Sequence, residues 1–248
     1  MWVFCVLPTC NEAPNLEACA EALLTLHLDG VTLGLQIVDD DSGDGTGALA
    51  DGLARRHGDR VHVLHRRGVR GLGSALVAGF AAALARGADR VAQLDADLSH
   101  DPQALPELLR RSADADLVIG SRYLPGGSVD RDWARHRRWL SAAANRVVVP
   151  ALLGLPLTDA TSGFRVWHAE ALRRLDPARH VASSGYGFQV EMGLLAHRLG
   201  LRIAEVPIRF AERGRGASKM TTAVKLAAIR DIVALRWRQP PGAGGGRR

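Results

Sequence analysis

Short apolar runs alternate with longer stretches of helical periodicity from residue 2 to residue 121, and no other feature restricts the fold as much. Residues 2–7, 33–39, 61–65, 90–94 and 116–121 read as strands. Residues 12–27, 44–57, 72–86 and 102–112 read as the helices between them. The last of these helices has Asp101 as an N-cap acceptor and Pro102 at its first position, where a missing N–H costs nothing. A strand–helix–strand rhythm of this kind predicts an α/β domain whose mostly parallel sheet is covered on both faces by helices. Ligands of such sheets bind at the carboxyl ends of the strands, and that is where the residues with unusual chemistry fall.

Beyond residue 135 the pattern changes. A long helical stretch at 139–153 leads into a loop rich in Thr, Asp, Ser and Gly. A helix at 187–199, a strand at 201–210 and a final helix at 221–237 follow, and the Pro/Gly-rich tail 240–248 reads as disordered. This divides the chain into a catalytic-type domain over 1–219, an amphipathic helix over 220–239 and the tail. At 248 residues and 47% hydrophobic, the chain is long enough to bury one sizeable core. It opens directly into a strand-like run and holds no apolar stretch of about 18–20 residues, so neither a signal peptide nor a membrane span is expected. Cys5, Cys10 and Cys19 lack zinc-type spacing and read as reduced thiols of a cytoplasmic protein. The net charge of +6 is carried almost wholly by arginine and suits an anionic partner. Nucleic acid is not expected, because no recognition motif or aromatic interleaving accompanies the charge.

Four constellations carry chemistry. Pro8-Thr9-Cys10-Asn11-Glu12 closes the first strand and Val38-Asp39-Asp40-Asp41-Ser42 the second; acids placed there can accept hydrogen bonds from a base or a ribose, and they also suit turns and helix caps. Asp95-Ala96-Asp97-Leu98-Ser99 follows the fourth strand, and two carboxylates two residues apart suit a hard divalent cation, Mg²⁺ or Mn²⁺, that completes its shell with phosphates. A basic set gathers Arg122, Arg135, Arg137, Arg138 and Ser141 with the loop from Arg213 to Lys219. Arginine forks bind phosphate oxygens, although any one of them also suits a solvated face. Finally, Asp159 and Glu191 are candidates for contacts to sugar hydroxyls or to an acceptor, while Phe164 and Phe188 read as core.

In their order along the chain, PTCNE (8–12), VDDDSGDGT (38–46), GLGSALVAGF (71–80), LDADLSHDP (94–102), VIGSRY (118–123), DATSGFR (159–165), GYGFQVE (185–191) and EVPIRFAERGRGASK (205–219) resemble the family-2 glycosyltransferases, specifically the dolichol-phosphate (polyprenol-phosphate) mannosyltransferases. The resemblance implies a GT-A fold, a divalent metal, a nucleotide-sugar donor such as GDP-mannose, a dolichyl or polyprenyl phosphate acceptor, and inversion at the anomeric carbon. Carried onto this sequence, Pro8, Cys10, Glu12, Val38, Asp39, Asp40 and Ala96 line the donor site. Asp95 and Asp97 face the diphosphate, with Ser99 beside them at the metal. Arg213 and Lys219 close over the donor phosphates, and Arg122, Arg137 and Ser141 grip the lipid phosphate. Cys10 stands where an aromatic residue is frequent, and Ser99 where some relatives have glutamine.

A phosphate acceptor is already anionic near neutrality, so no general base is expected. Asp95, Asp97 and Arg122 are the candidate catalytic residues through orientation and charge. The lipid acceptor implies work at the cytoplasmic face of a membrane as a peripheral protein, alone or with a membrane-anchoring partner subunit. The helix 221–237 fits either that interface or packing on the domain. A UDP-sugar donor, another acceptor, and a non-catalytic binder of nucleotides or polyanions remain the alternatives.

Overall fold

The computed structural model describes residues 1–130, 139, 141–183, 185, 187–211, 230 and 232–237. Its first half follows the expected rhythm: β1 (Trp2–Thr9), α1 (Ala13–Leu24), β2 (Thr32–Asp39), α2 (Thr46–His57), β3 (Val61–His65), α3 (Leu72–Ala85), β4 (Arg90–Gln93), α4 (Leu105–Arg111) and β5 (Leu117–Ser121). Then come β6 (Ser128–Val129), α5 (Val149–Leu153), β7 (Arg165–His168), α6 (Ala169–Leu175), α7 (Pro177–His180), α8 (Gly187–Arg198), β8 (Ile203–Pro207) and β9 (Arg209–Phe210).

Seven strands form one sheet in the order β3-β2-β1-β4-β7-β5-β8, and β6 pairs with β9 in a small second sheet. All pairings in the large sheet are parallel except those of β7, which runs antiparallel to both β4 and β5. Successive side chains of a strand point to opposite faces, and the core divides accordingly. Phe4, Val6, Val38 and Trp167 join one apolar cluster with Leu76 and Phe80 of α3 and Phe188 and Met192 of α8. Val3, Cys5, Leu7, Ile37 and Val166 join the other with Leu16 and Leu23 of α1, Leu53 of α2 and Leu108 of α4. Burial on both faces explains why β1 reads as an unbroken apolar run. Gly79 lets α3 settle onto β1, since a Cβ there would lie 2.3 Å from Val6 Cγ1.

Four local readings are corrected. The helix expected over 102–112 begins as a 3-10 turn at Pro102–Ala104 and becomes α-helical at Leu105. Pro106 has no N–H to give the Pro102 carbonyl, so Leu105 N–H bonds there instead. Asp101 caps this turn as expected, accepting from Gln103 N–H at 2.9 Å. The strand expected over 201–210 divides into β8 and β9 at Pro207, which cannot donate to a ladder. The helical stretch 139–153 widens into a π-turn at Ala144–Val148 before α5. Strand β7 occupies a stretch that offered no strand pattern, because it is four residues long and starts with the fully buried Arg165. The expected boundary at 219/220, most of the helix 221–237 and the tail 240–248 lie outside the described residues. Leu235, near the end of that helix, is buried in the core cluster, whereas Trp237 is exposed. Among the described residues, no helix is long and apolar enough to cross a membrane.

Candidate active site

The carboxyl ends of β1, β2, β4 and β5 meet at one edge of the sheet, and their turns are laced together. Ser42 Oγ donates to Asp39 Oδ1 at 2.5 Å and accepts the Asn11 amide at 2.8 Å. Asn11 Oδ1 accepts the Gly43 amide, and Glu12 N–H donates to Thr46 Oγ1. Three of the four non-glycine residues with positive φ among the described residues lie in these turns: Asn11 (56°), Asp41 (54°) and Leu98 (61°). Strain gathered at the ends of three adjacent strands marks a functional edge.

The expected donor-side residues surround this edge. Pro8, Val38 and Asp39 end β1 and β2, Cys10 and Glu12 open the first turn, and Asp39 is buried with His65 Nδ1 3.7 Å from its Oδ2. Asn15 Nδ2 donates to the Glu12 carboxylate at 3.1 Å. Asp40 is engaged inside the protein. Its Oδ2 accepts Gly71 N–H at the start of α3, and its Oδ1 pairs with Arg66 Nη1 at 3.0 Å without hydrogen-bond alignment. Burial raises the Asp40 pKa, against the pull of Gly71 and Arg66.

After β4, Asp95 keeps its side chain 38% exposed, whereas Asp97 is buried. Ser99 holds Asp97 Oδ1 with its amide at 3.1 Å and its hydroxyl at 2.6 Å. Ala96, between the two acids, is buried. Among the described residues, no three acidic, His or Cys side chains form a ready-made metal cage. His100, to which the sequence reading gave no role, locks this turn. Its Nδ1 accepts the Asp95 amide at 3.4 Å, which leaves the ring hydrogen on Nε2. Burial pushes its pKa down to about 4, so the ring is neutral at pH 7. The ring packs on Phe164 and Phe210, with centroids 5.5 and 5.0 Å away.

Arg122 follows β5 and lies over the same Phe210 ring at 5.3 Å. It is buried against Asp159, with Nε to Oδ2 and Nη2 to Oδ1 both at 2.7 Å, and Nη2 also donates to Thr161 Oγ1 at 2.7 Å. Burial opposes its charge, but Asp159 more than offsets this, so the pKa is raised. Asp159, read above as a sugar or acceptor contact, is instead fully buried and spent on the Arg122 amide and fork and on Thr161. Glu191 is likewise buried and accepts the Ala182 and Ser183 amides, which sets it in the structure of that loop. Ser141 lies beside Tyr123, whose hydroxyl donates to its Oγ at 2.6 Å. Arg135, Arg137, Arg138, Arg213 and Lys219 lie outside the described residues. The sequence motifs VIGSRY and DATSGFR contain Tyr123 and Thr161 without giving them this part, and Asn145 falls in no motif. Asn145 stands beside Arg146 in AAANRVVV (142–149), so no local signal singles it out.

A profile of glycosyl transferase family 2 matches residues 4–176. The chain is 43% identical over 241 residues to an undecaprenyl-phosphate mannosyltransferase of Micrococcus luteus, covering 96% of each. It is 44% identical over 217 residues to a polyprenol monophosphomannose synthase of Mycolicibacterium smegmatis, covering 87% of this chain and 80% of that one. Glucosyl-3-phosphoglycerate synthase from Mycobacterium tuberculosis, solved with Mn²⁺, UDP and glucosyl-3-phosphoglycerate, shares the fold with a TM-score of 0.66 at 20% identity, over 97% of this chain and 81% of that one. A Pyrobaculum calidifontis mannosyltransferase in complex with GDP-Man and Mn²⁺ shares it with a TM-score of 0.59 at 20% identity, over 96% and 65% of the two chains. The α/β architecture expected from the sequence, the GT-A fold, is the one these structures have in common with it.

Proposed function

The chain belongs to glycosyl transferase family 2, and on that premise we propose that it moves mannose from GDP-mannose to the phosphate of a polyprenyl phosphate, with inversion at the anomeric carbon. The observation that carries this reading is one shared wall. His100 and Phe210 hold the Asp95–Asp97 turn on one side and pack beside the Arg122–Asp159 pair on the other. Carboxylates suited to a metal-bound diphosphate and an arginine suited to a second phosphate thus sit at adjoining positions. The names of the two close relatives support the sugar and the lipid.

In the transfer, an acceptor phosphate oxygen bonds to the anomeric carbon as the bond from that carbon to the diphosphate oxygen breaks, and the electron pair leaves on GDP. The acceptor oxygen is already anionic near neutrality, so no side chain has to remove a proton. Arg122 orients the attacking phosphate; with Nε and Nη2 engaged by Asp159 and Thr161, it offers Nη1. Ser141 would add a hydroxyl, and Arg137 a second fork. Pro8, Glu12 and Asp39 would hold the guanosine and Cys10, Val38, Asp40 and Ala96 would line the rest of the donor site, with Arg213 and Lys219 over the donor phosphates.

The all-oxygen pair Asp95 and Asp97 fits Mg²⁺ or Mn²⁺, which takes few protein carboxylates and completes its shell with phosphates. The half-exposed Asp95 and the Ser99-oriented Asp97 would hold it, Ser99 from behind the carboxylate. Such an ion neutralises charge on a departing diphosphate. The Mn²⁺ named in both solved complexes supports this choice. Peripheral attachment at a cytoplasmic membrane face, alone or through an anchoring subunit, follows from a lipid acceptor. Trp139, 78% exposed, with Val147 and Val148 on the same helical stretch, is apolar surface of the kind such attachment uses.

Incubating the chain with GDP-mannose, Mg²⁺ or Mn²⁺ and a short polyprenyl phosphate, then analysing the lipid by mass spectrometry, tests the reading. A hexose added from GDP-mannose is expected. A product formed only from UDP-sugars would overturn the donor assignment.

A further inference from the structure

We infer that Asn145 and Thr161 form a latch that positions the acceptor-phosphate site, holding the helical stretch that carries Ser141 in register with the Arg122–Asp159 pair. This rests on the proposed transfer to a lipid phosphate.

Asn145 is fully buried inside the π-turn Ala144–Val148, a distortion that is frequent at functional sites. Every polar atom of its side chain is engaged. Thr161 N–H, which can only donate, faces Oδ1 at 3.1 Å. That fixes the amide orientation, so Nδ2 donates to Ser141 O at 3.0 Å and to Thr161 Oγ1 at 2.9 Å. Thr161 Oγ1 therefore accepts from Asn145 and from Arg122 Nη2, and gives its own proton to Asp159 Oδ1 at 3.2 Å. A hydroxyl with two accepted bonds and one donated bond has no freedom left to rotate.

The chain of bonds has a direction. Asn145 sets the Thr161 rotor, Thr161 and Asp159 set the Arg122 fork, and Asn145 also grips the backbone of Ser141. Among the described residues Arg122 Nη1 has no protein partner, so its two N–H groups remain for an anion. Ser141 Oγ is held by Tyr123 from outside the latch. The two groups expected to meet one phosphate, Ser141 Oγ and Arg122 Nη1, come from segments of chain about twenty residues apart, and the Asn145–Thr161 bonds fix their relative position. Misplacing one group of a bidentate grip by a fraction of an ångström weakens acceptor binding without touching the donor site.

The test uses the full chain with GDP-mannose and a short polyprenyl phosphate. Thr161→Val, nearly isosteric, and Asn145→Ala are expected to raise KM for the polyprenyl phosphate about tenfold or more, the worth of one hydrogen bond to a charged group. KM for GDP-mannose should stay within about twofold, as for loss of binding at one subsite. Thr161→Ser keeps the hydroxyl and is expected to retain the wild-type KM, and the double variant should be no worse than the weaker single one, as for groups acting as a unit. Donor and acceptor KM rising in parallel, or Thr161→Ser as impaired as Thr161→Val, would overturn the latch. Wild-type protein that leaves polyprenyl phosphate unmodified overturns the underlying function, and that result is visible before any variant is made.

Discussion

Asp159→Asn keeps the side-chain shape and removes one buried charge, and its cost can be worked from the contacts. Asp159 accepts from the Arg122 amide, Nε and Nη2 and from Thr161 Oγ1. An asparagine amide nitrogen would place a donor against at least one of these donors. Two buried guanidiniums also lose their shared counter-charge: Arg122, and the fully buried Arg165, whose Nη1 has no hydrogen-bond partner. Burial already draws the Arg165 pKa down, opposed only by Asp159 and Glu205. Removing one partner of such a pair costs about 3–5 kcal/mol, a large part of a total stability of about 5–15 kcal/mol. For a chain of this size that corresponds to a fall in Tm of about 6–20 °C. Calorimetry and urea denaturation at pH 7 would measure it. A fall below about 3 °C with an unchanged urea slope would refute the account of the pair as a buried, mutually dependent unit. The double replacement Arg122→Met with Asp159→Leu should recover most of the loss, since apolar residues of similar volume commonly replace buried pairs at little cost. It should still abolish saturable binding of the polyprenyl phosphate.

Asp97→Ala is expected to lower kcat for sugar transfer about a hundredfold or more, the scale of losing one pre-set electrostatic group; an unchanged rate with metal still bound would remove Asp97 from the site. Of the three cysteines, only Cys10 should react with a thiol reagent under native conditions, because Cys5 and Cys19 are buried, and GDP-mannose should slow that reaction. Burial pushes the Cys19 thiol up to about 12 from 9.0. Its folded pKa exceeds its unfolded one, so its contribution to stability is complete below pH 9 and is lost as pH rises from 9 toward 12. A melting temperature flat across that interval would contradict the sign. Gly79→Ala should destabilise by about 1–3 kcal/mol through overpacking against Val6, in spite of a helix-propensity gain of about 1 kcal/mol; a raised Tm would show that α3 can shift away from β1.

The sequence by itself determined the sheet-forming half and the placement of acids at the strand ends. Those signals are local: short apolar runs, helical periodicity, a cap at Asp101, turn residues at Ser42 to Gly45. Each is decided by neighbours a few residues away, and each is found in the structure. Tertiary structure alone decided what Arg122 pairs with. Arg122 could be read as a phosphate ligand from its place after β5, but its main partner is Asp159, 37 residues on, and only burial of both makes that pairing obligatory. Strand β7 enters between β4 and β5, antiparallel to both, and no pattern in four residues headed by arginine announces it. Asn145 is the same case in one residue. Flanked by Ala144 and Arg146 it gives no local signal, and its meaning comes from the half-buried Thr161, which the folded chain brings against it.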